Sequence, residues 1–175
     1  MSNKLHLFSV IAVSSTCLCV FAQDAAIATF QADITPPVGS PLCGGAVMPG
    51  HGVDDLLTSR GIVLFAKDQQ PIVLCAVDFT GIANASHDAW REALAKAADT
   101  TPERVEVHCL HQHDAPEIDG GTDALLAAQG MGGATYNVKH AQEALDKTAA
   151  AVAEAVKHPQ TVTHVGFGKA EVVDV

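Results

Sequence analysis

The sequence predicts an α/β domain, a mixed sheet of about five strands with helices packed on it. Three observations carry that expectation. Short runs rich in Val, Ile and Leu recur at strand length, two longer segments show helical periodicity, and the order strand–helix–strand over 71–110 demands a parallel pair joined by a crossover. A chain of 175 residues, 48% of them hydrophobic, is long enough to bury a core.

The first 22 residues read as an export leader. "MSNKLH" carries Lys4, and "LFSVIAVSSTCLCVFA" is apolar but too short and too rich in Ser and Thr for a comfortable membrane span. Val20 and Ala22 stand where a signal peptidase wants small residues. Cleavage after Ala22 predicts an exported protein, periplasmic or secreted, with 23–175 as the working part; the alternative is an uncleaved anchor helix. Cys43, Cys75 and Cys109 then remain, an odd set that makes a poor disulfide framework. Cys75 and Cys109 sit in apolar runs and are expected as buried small hydrophobes.

"IATFQADITPPVG" predicts a strand that stops at Pro36-Pro37, with Asp33 organising the turn through side-chain-to-backbone hydrogen bonds. "SPLCGGAVMPGHGVDD" is a long loop, and long loops carry function more often than short ones. "RGIVLFAKDQQPIVLCAVDFTG" predicts a hairpin turning around Asp68-Gln69-Gln70, its strands apolar enough for a sheet covered on both faces. "SHDAWREALAKAADT" predicts a helix capped by Ser86, with Trp90, Leu94 and Ala97 on one side. "TPERVEVHCL" leads through a Pro-marked turn into the next strand. "EIDGGTDALLAAQGMGGATYN" is a Gly-rich loop holding one helical turn over 122–129. In "VKHAQEALDKTAAAVAEAVKHP" the stripe Ala141, Leu145, Thr148, Val152 and Val156 predicts a helix that Pro159 ends. "TVTHVGFGKAEVVDV" predicts a last strand, kinked near Gly166 or Gly168. The pattern then breaks off without a turn or cap signal, as expected of a fragment of a longer protein.

The net charge of −10 comes from 20 acidic against 10 basic residues, and no Lys/Arg cluster interrupts it. Nucleic acid and an anionic membrane surface are therefore excluded as default partners.

The chemistry concentrates in "VEVHCLHQHDAP", at the carboxyl end of a parallel strand, where α/β sheets collect function. If the strand stays extended, Cys109, His111 and His113 share one face. Imidazoles at this spacing allow one to hold an ion while the other meets a substrate, or both to hold it. Imidazole suits zinc, and a catalytic zinc keeps three protein ligands and one open position. Asp114, and Asp78 at the end of the neighbouring strand, are candidates to fix the histidines' tautomers, and Asp78 reads equally as a turn-forming residue. The spacing alone is equally that of an ordinary polar strand end. His51 reads as a solvated loop residue, His140 as part of a solvated helix face, and His164 as packing in the last strand. "GMGG" matches no phosphate-binding pattern.

Five segments, in order from about 27 to 173, raise a resemblance to the neutral/alkaline ceramidase family. "ADITPPVGSPLCGG" resembles the D-I-T-P-P-V-G opening of its catalytic domain. "VDDLLTSRGIVL" resembles its V-H-D-P-L-Y-A-R-A-L-V-L stretch, and "PIVLCAVDFTGI" its strand ending in a single Asp. "TPERVEVHCLHQHDAP" resembles the segment leading to H-T-H-S-G-P, and "THVGFGKAEV" its later V-G-x-G strand. The resemblance implies the N-terminal, incomplete portion of a zinc amidase that cleaves a ceramide-like N-acyl bond. It implies His111 as a zinc ligand, His113 as the residue beside the metal that supports substrate or transition state, and a small lipid or acyl-amide substrate. Membrane contact is then expected only peripherally, through that substrate.

The sequence departs from the family in three ways. Asp114 replaces a small hydroxyl residue and adds negative charge. Asp54 and Leu56 stand where the family has His and Pro. The family's remaining ligands, a later His, a Glu and a Tyr, lie past the last strand here. The alternatives are accordingly a degenerate, non-catalytic module on the same scaffold, or a metallohydrolase of a different substrate.

Overall fold

The structure is a computed structural model that describes residues 20–172. The export leader expected over 1–22 lies outside the described residues, save for its last three positions.

The chain enters through β1 (Val20–Asp33), passes a loop with a short 3-10 turn at Cys43–Gly45, and makes a hairpin of β2 (Thr58–Ala66) and β3 (Ile72–Val77). A two-residue strand, β4 (Gly81–Ile82), precedes helix α1 (Asn84–Ala98), after which β5 (Val105–Cys109) returns to the sheet. There follow β6 (Glu117–Ile118), α2 (Gly120–Ala127), α3 (Val138–Ala155) and β7 (Gln160–Val165). The main sheet has five strands in the order β5-β3-β2-β1-β7, and β4 and β6 form a small parallel ladder beside it. Only β3 and β5 pair in parallel; the other three ladders of the main sheet are antiparallel. The described residues thus form a mixed α/β sheet of five strands with three helices.

The hairpin turns as expected, with Asp68 at φ 58°, a left-handed position that a short Asp tolerates. The crossover at 71–110 is there as well: Val73 pairs with Val105 and Val77 with Cys109.

One face of the sheet holds the core. Ala28, Phe30, Val63, Val73, Cys75, Val77, Val105 and Val107 pack there with Trp90 and Leu94 of α1 and Ala144, Leu145 and Val152 of α3. Phe79 meets Trp90 edge to face at 6.3 Å, a geometry favoured by the ring quadrupoles. Thr148 donates its proton to the Ala144 carbonyl at 2.8 Å, so the 2.6 Å bond between Ser59 and Thr148 takes its proton from Ser59. That buried pair staples α3 to β2.

Several local expectations change. A sheet covered on both faces is not what the described residues form. In β3, Val73, Cys75 and Val77 are sealed, whereas Ile72 and Leu74 on the opposite face are each 37% exposed. Ser86 does not cap α1. The helix begins at Asn84 with Ala83 as its uncapped start, and the Ser86 hydroxyl accepts the Gly120 N–H at 2.9 Å. The turn expected over 122–129 is a helix that starts earlier, because Asp119 accepts from the Gly121 and Thr122 amides and caps it. His140 is buried rather than solvated, because its ring is drawn inward to the Ile34 carbonyl at 2.9 Å. His164 is exposed. Asp33 does organise its turn, accepting from the Thr35 amide at 2.9 Å.

Candidate functional site

The strand that carries the histidines is shorter than alternation required. β5 ends at Cys109, and His111 takes a left-handed backbone at φ 61°, so the period-two assignment of Cys109, His111 and His113 to one face fails. Two bonds hold this kink. The His111 amide donates to the Phe79 carbonyl at 3.1 Å, and its ring Nδ1 meets the Thr80 carbonyl at 2.9 Å. The kink nonetheless brings the two imidazoles together: the rings of His111 and His113 lie 5.3 Å apart, centroid to centroid, at 81°. Both residues are exposed.

A carbonyl oxygen only accepts, so Nδ1 of His111 carries the proton and, in the neutral ring, Nε2 keeps its lone pair. Metal-ligating histidines are commonly oriented in this way, by a backbone carbonyl on the second nitrogen.

The segment after β3 acts as a template for the loop after β5. The Leu110 amide donates to Val77 at 3.1 Å, the Thr80 amide donates to Pro116 at 2.9 Å, and Gln112 Nε2 donates to the Asp78 carbonyl at 3.1 Å. The Thr80 hydroxyl lies 2.7 Å from the Gln112 carbonyl and 3.0 Å from that of Ala115, sharing one proton between them. Thr80 and Gln112 were not singled out by sequence. The available signal was the parallel pairing itself, which sets the residues just past β3 against those just past β5.

Asp78 reaches the loop through its backbone. Its carboxylate is turned the other way, accepting from the Thr58 amide and hydroxyl at 2.8 Å each, with Arg60 at 3.8 Å. Among the described residues no hydrogen bond joins that carboxylate to either histidine. Asp114 is exposed on the wall of a cleft of about 520 Å³. Gln112 and His113 line the same cleft, facing the turn at Thr35–Pro37 and the loop residues Met48 and Asp54; His111 is not part of its wall. His51 is exposed in the Gly-rich loop.

Among the described residues, Cys43, Cys75 and Cys109 form no disulfide. Burial pushes the Cys109 thiol up to about 11 and that of Cys75 to about 12, so both stay protonated at neutral pH and are poor ligands as they stand.

Two exposed imidazoles, one with its lone-pair nitrogen set by a carbonyl, suit a borderline ion such as zinc as part of a donor set. They do not complete one: among the described residues no group of three or more His, Cys, Asp and Glu side chains is placed to hold a metal.

No protein-family model matches the sequence, and no curated protein does. Two solved structures share the fold. One is described as a ceramidase complexed with C2, at 17% identity and a TM-score of 0.57. The other is a neutral ceramidase from Pseudomonas aeruginosa, at 16% identity and the same TM-score of 0.57. Each match covers 78% of this chain and 22% of the other, so the chain spans about a fifth of the length of the ceramidases it resembles in fold.

Proposed function

We propose that this chain is the histidine-bearing part of an exported, zinc-dependent hydrolase of N-acyl amide bonds, with a ceramide-like lipid amide as its substrate. The observation that carries the reading is the facing pair His111 and His113, held at the carboxyl end of a parallel strand on a fold shared with neutral ceramidases. The order of the five family-like segments supports it.

His111 would hold the ion through Nε2, and His113, beside it on the cleft wall, would meet the substrate. When bound, zinc supplies a Lewis acid for the amide carbonyl and lowers the pKa of water. The chain's own residues do the rest. Thr80 keeps His111 in one tautomer, and His113 donates to or accepts from the reacting amide at the cleft. Asp114 adds a negative charge beside His113 on that wall. The ligands that finish the coordination come from outside the described residues.

The test uses the full-length protein, assayed for bound zinc and for release of fatty acid from a short-chain N-acyl sphingoid base. His111→Ala is expected to lose zinc and activity together. His113→Ala is expected to keep zinc and lose activity by about 10²–10⁴-fold, the usual worth of a positioned acid or base. Full-length protein that carries no zinc sinks the reading. One specific observation favours a second reading: Asp114 stands exposed where the family-like motif has a small hydroxyl residue. Zinc-loaded protein that cleaves no N-acyl lipid, amide or ester would identify a degenerate module. Cleavage of another amide or ester alone would identify a hydrolase of different substrate.

A further inference from the structure

We propose that Thr80 is the positioning residue of the histidine pair. Its carbonyl fixes His111 as the Nδ1–H tautomer, and its amide and hydroxyl pin the segment 112–116 that carries His113. The inference rests on the functional reading only in taking this pair as the reactive site; the tautomer and the loop geometry are properties of the chain itself.

Every hydrogen bond that Thr80 makes through its amide, carbonyl and hydroxyl points to the same short segment. Its N–H goes to Pro116, its carbonyl receives His111 Nδ1–H, and its hydroxyl is shared between Gln112 and Ala115. A buried threonine commonly satisfies its hydroxyl within a turn of its own helix, as Thr148 does on the Ala144 carbonyl. The hydroxyl of Thr80, a residue only 4% exposed, instead reaches partners 32 and 35 residues further along the chain. The left-handed backbone of His111 adds a reason for such a clamp. A residue with a Cβ adopts φ 61° only where surrounding bonds hold it, and those bonds come from Phe79 and Thr80. Those bonds are what the kink after Cys109 rests on.

Three variants of the full-length chain test this. Thr80→Val removes the hydroxyl at nearly constant volume, Thr80→Ser keeps it, and Thr148→Val removes a buried hydroxyl on α3. The readouts are the ring-nitrogen NMR signals of His111 and His113, recorded on 15N-histidine-labelled protein without metal, and the affinity for Zn²⁺ alone. Wild type and Thr80→Ser are expected to show His111 in the Nδ1–H form. Thr80→Val keeps the carbonyl, and with it His111 as Nδ1–H, but frees the segment 112–116: the His113 ring signals should shift or broaden, and the Zn²⁺ affinity should fall by about 10–100-fold, the usual cost of losing a group that orients a ligand. Thr148→Val should lower the thermal midpoint yet leave both histidine signals and the Zn²⁺ affinity as in wild type. The proposal is overturned if Thr80→Val keeps wild-type His113 signals, if wild-type His111 is the Nε2–H tautomer, or if Thr148→Val perturbs the histidine signals equally. Should Thr80→Val not fold, wild-type His111 found as the Nε2–H tautomer overturns it as well. If the full-length protein binds no Zn²⁺, the functional reading falls, and the metal-free ring signals still decide the role of Thr80.

Discussion

His140 shows how a single side chain ties stability to pH. It sits inside α3 with its Nε2–H donated to the Ile34 carbonyl at 2.9 Å, and it is buried. Burial disfavours the imidazolium and lowers its pKa from the ordinary 6.5, an effect that outweighs the opposing pull of the Ile34 carbonyl. The folded state therefore binds fewer protons than the unfolded state between the folded pKa and 6.5. The stability this provides is present above 6.5 and is lost as pH falls toward the folded value. Asp33 acts in a separate, more acidic window. Its carboxylate is held below the ordinary 3.8 by the Thr35 hydroxyl and amide, so its contribution survives until the pH drops below that value. Urea midpoints at pH 7.5, 6 and 5 separate the two. Wild type should weaken across this range, and His140→Gln, which keeps an N–H donor but cannot charge, should be flatter. Equal slopes in the two proteins would remove His140 as the cause.

At the scale of elements, the register of β2 against β3 depends on one missing side chain. A Cβ built on Gly61 falls 2.0 Å from the Leu74 carbonyl oxygen and 2.6 Å from Phe30 Cζ. Gly61 pairs with Phe30 on one side and Cys75 on the other, in the middle of the sheet. Gly61→Ala must push the backbone of β3 or turn out the Phe30 ring, and overpacking of this kind costs about 1–3 kcal/mol or more. The expected result is a fall in the denaturation midpoint of that size; a midpoint within about 0.5 kcal/mol of wild type, the range of an ordinary surface change, would show that the strands have slack here. The same elements show what periodicity can reveal. The hairpin at Asp68, the parallel β3–β5 pair and the stripe of α3 were legible, because each is a local pattern of apolar spacing with a turn residue at its end. The cap of α1 and the exact reach of β5 were not. Ser86 is taken up by the Gly120 amide and His111 by two carbonyls just past the end of β3, and such partners lie 31 to 34 residues away in sequence. The histidine pair could be named from the sequence, whereas the kink that makes its rings face each other could not.

At the scale of the whole molecule, the described chain is a two-layer structure with its helices on one side of the sheet. The contrast within β3 gives the measure: Val73 is sealed at 0% exposure, while its neighbours Ile72 and Leu74 on the opposite face are each 37% exposed. Across the ladders, Ile72 stands against Leu64 and Leu74 against Ile62, so the open face has an apolar centre. Such a face binds apolar probes, and its residues contribute less to the fold than those beneath the helices. The double change Ile72→Thr with Leu74→Thr should reduce binding of a hydrophobic dye to residues 20–175. It should also cost less stability than the single change Val73→Thr, which buries a hydroxyl under α1 and α3 at about 1–3 kcal/mol. Dye titration and urea unfolding of the two proteins compare the faces directly. If Val73→Thr proves the milder of the two, the layer order argued from exposure is wrong, because the face that carries the core would then be the one that Ile72 and Leu74 share.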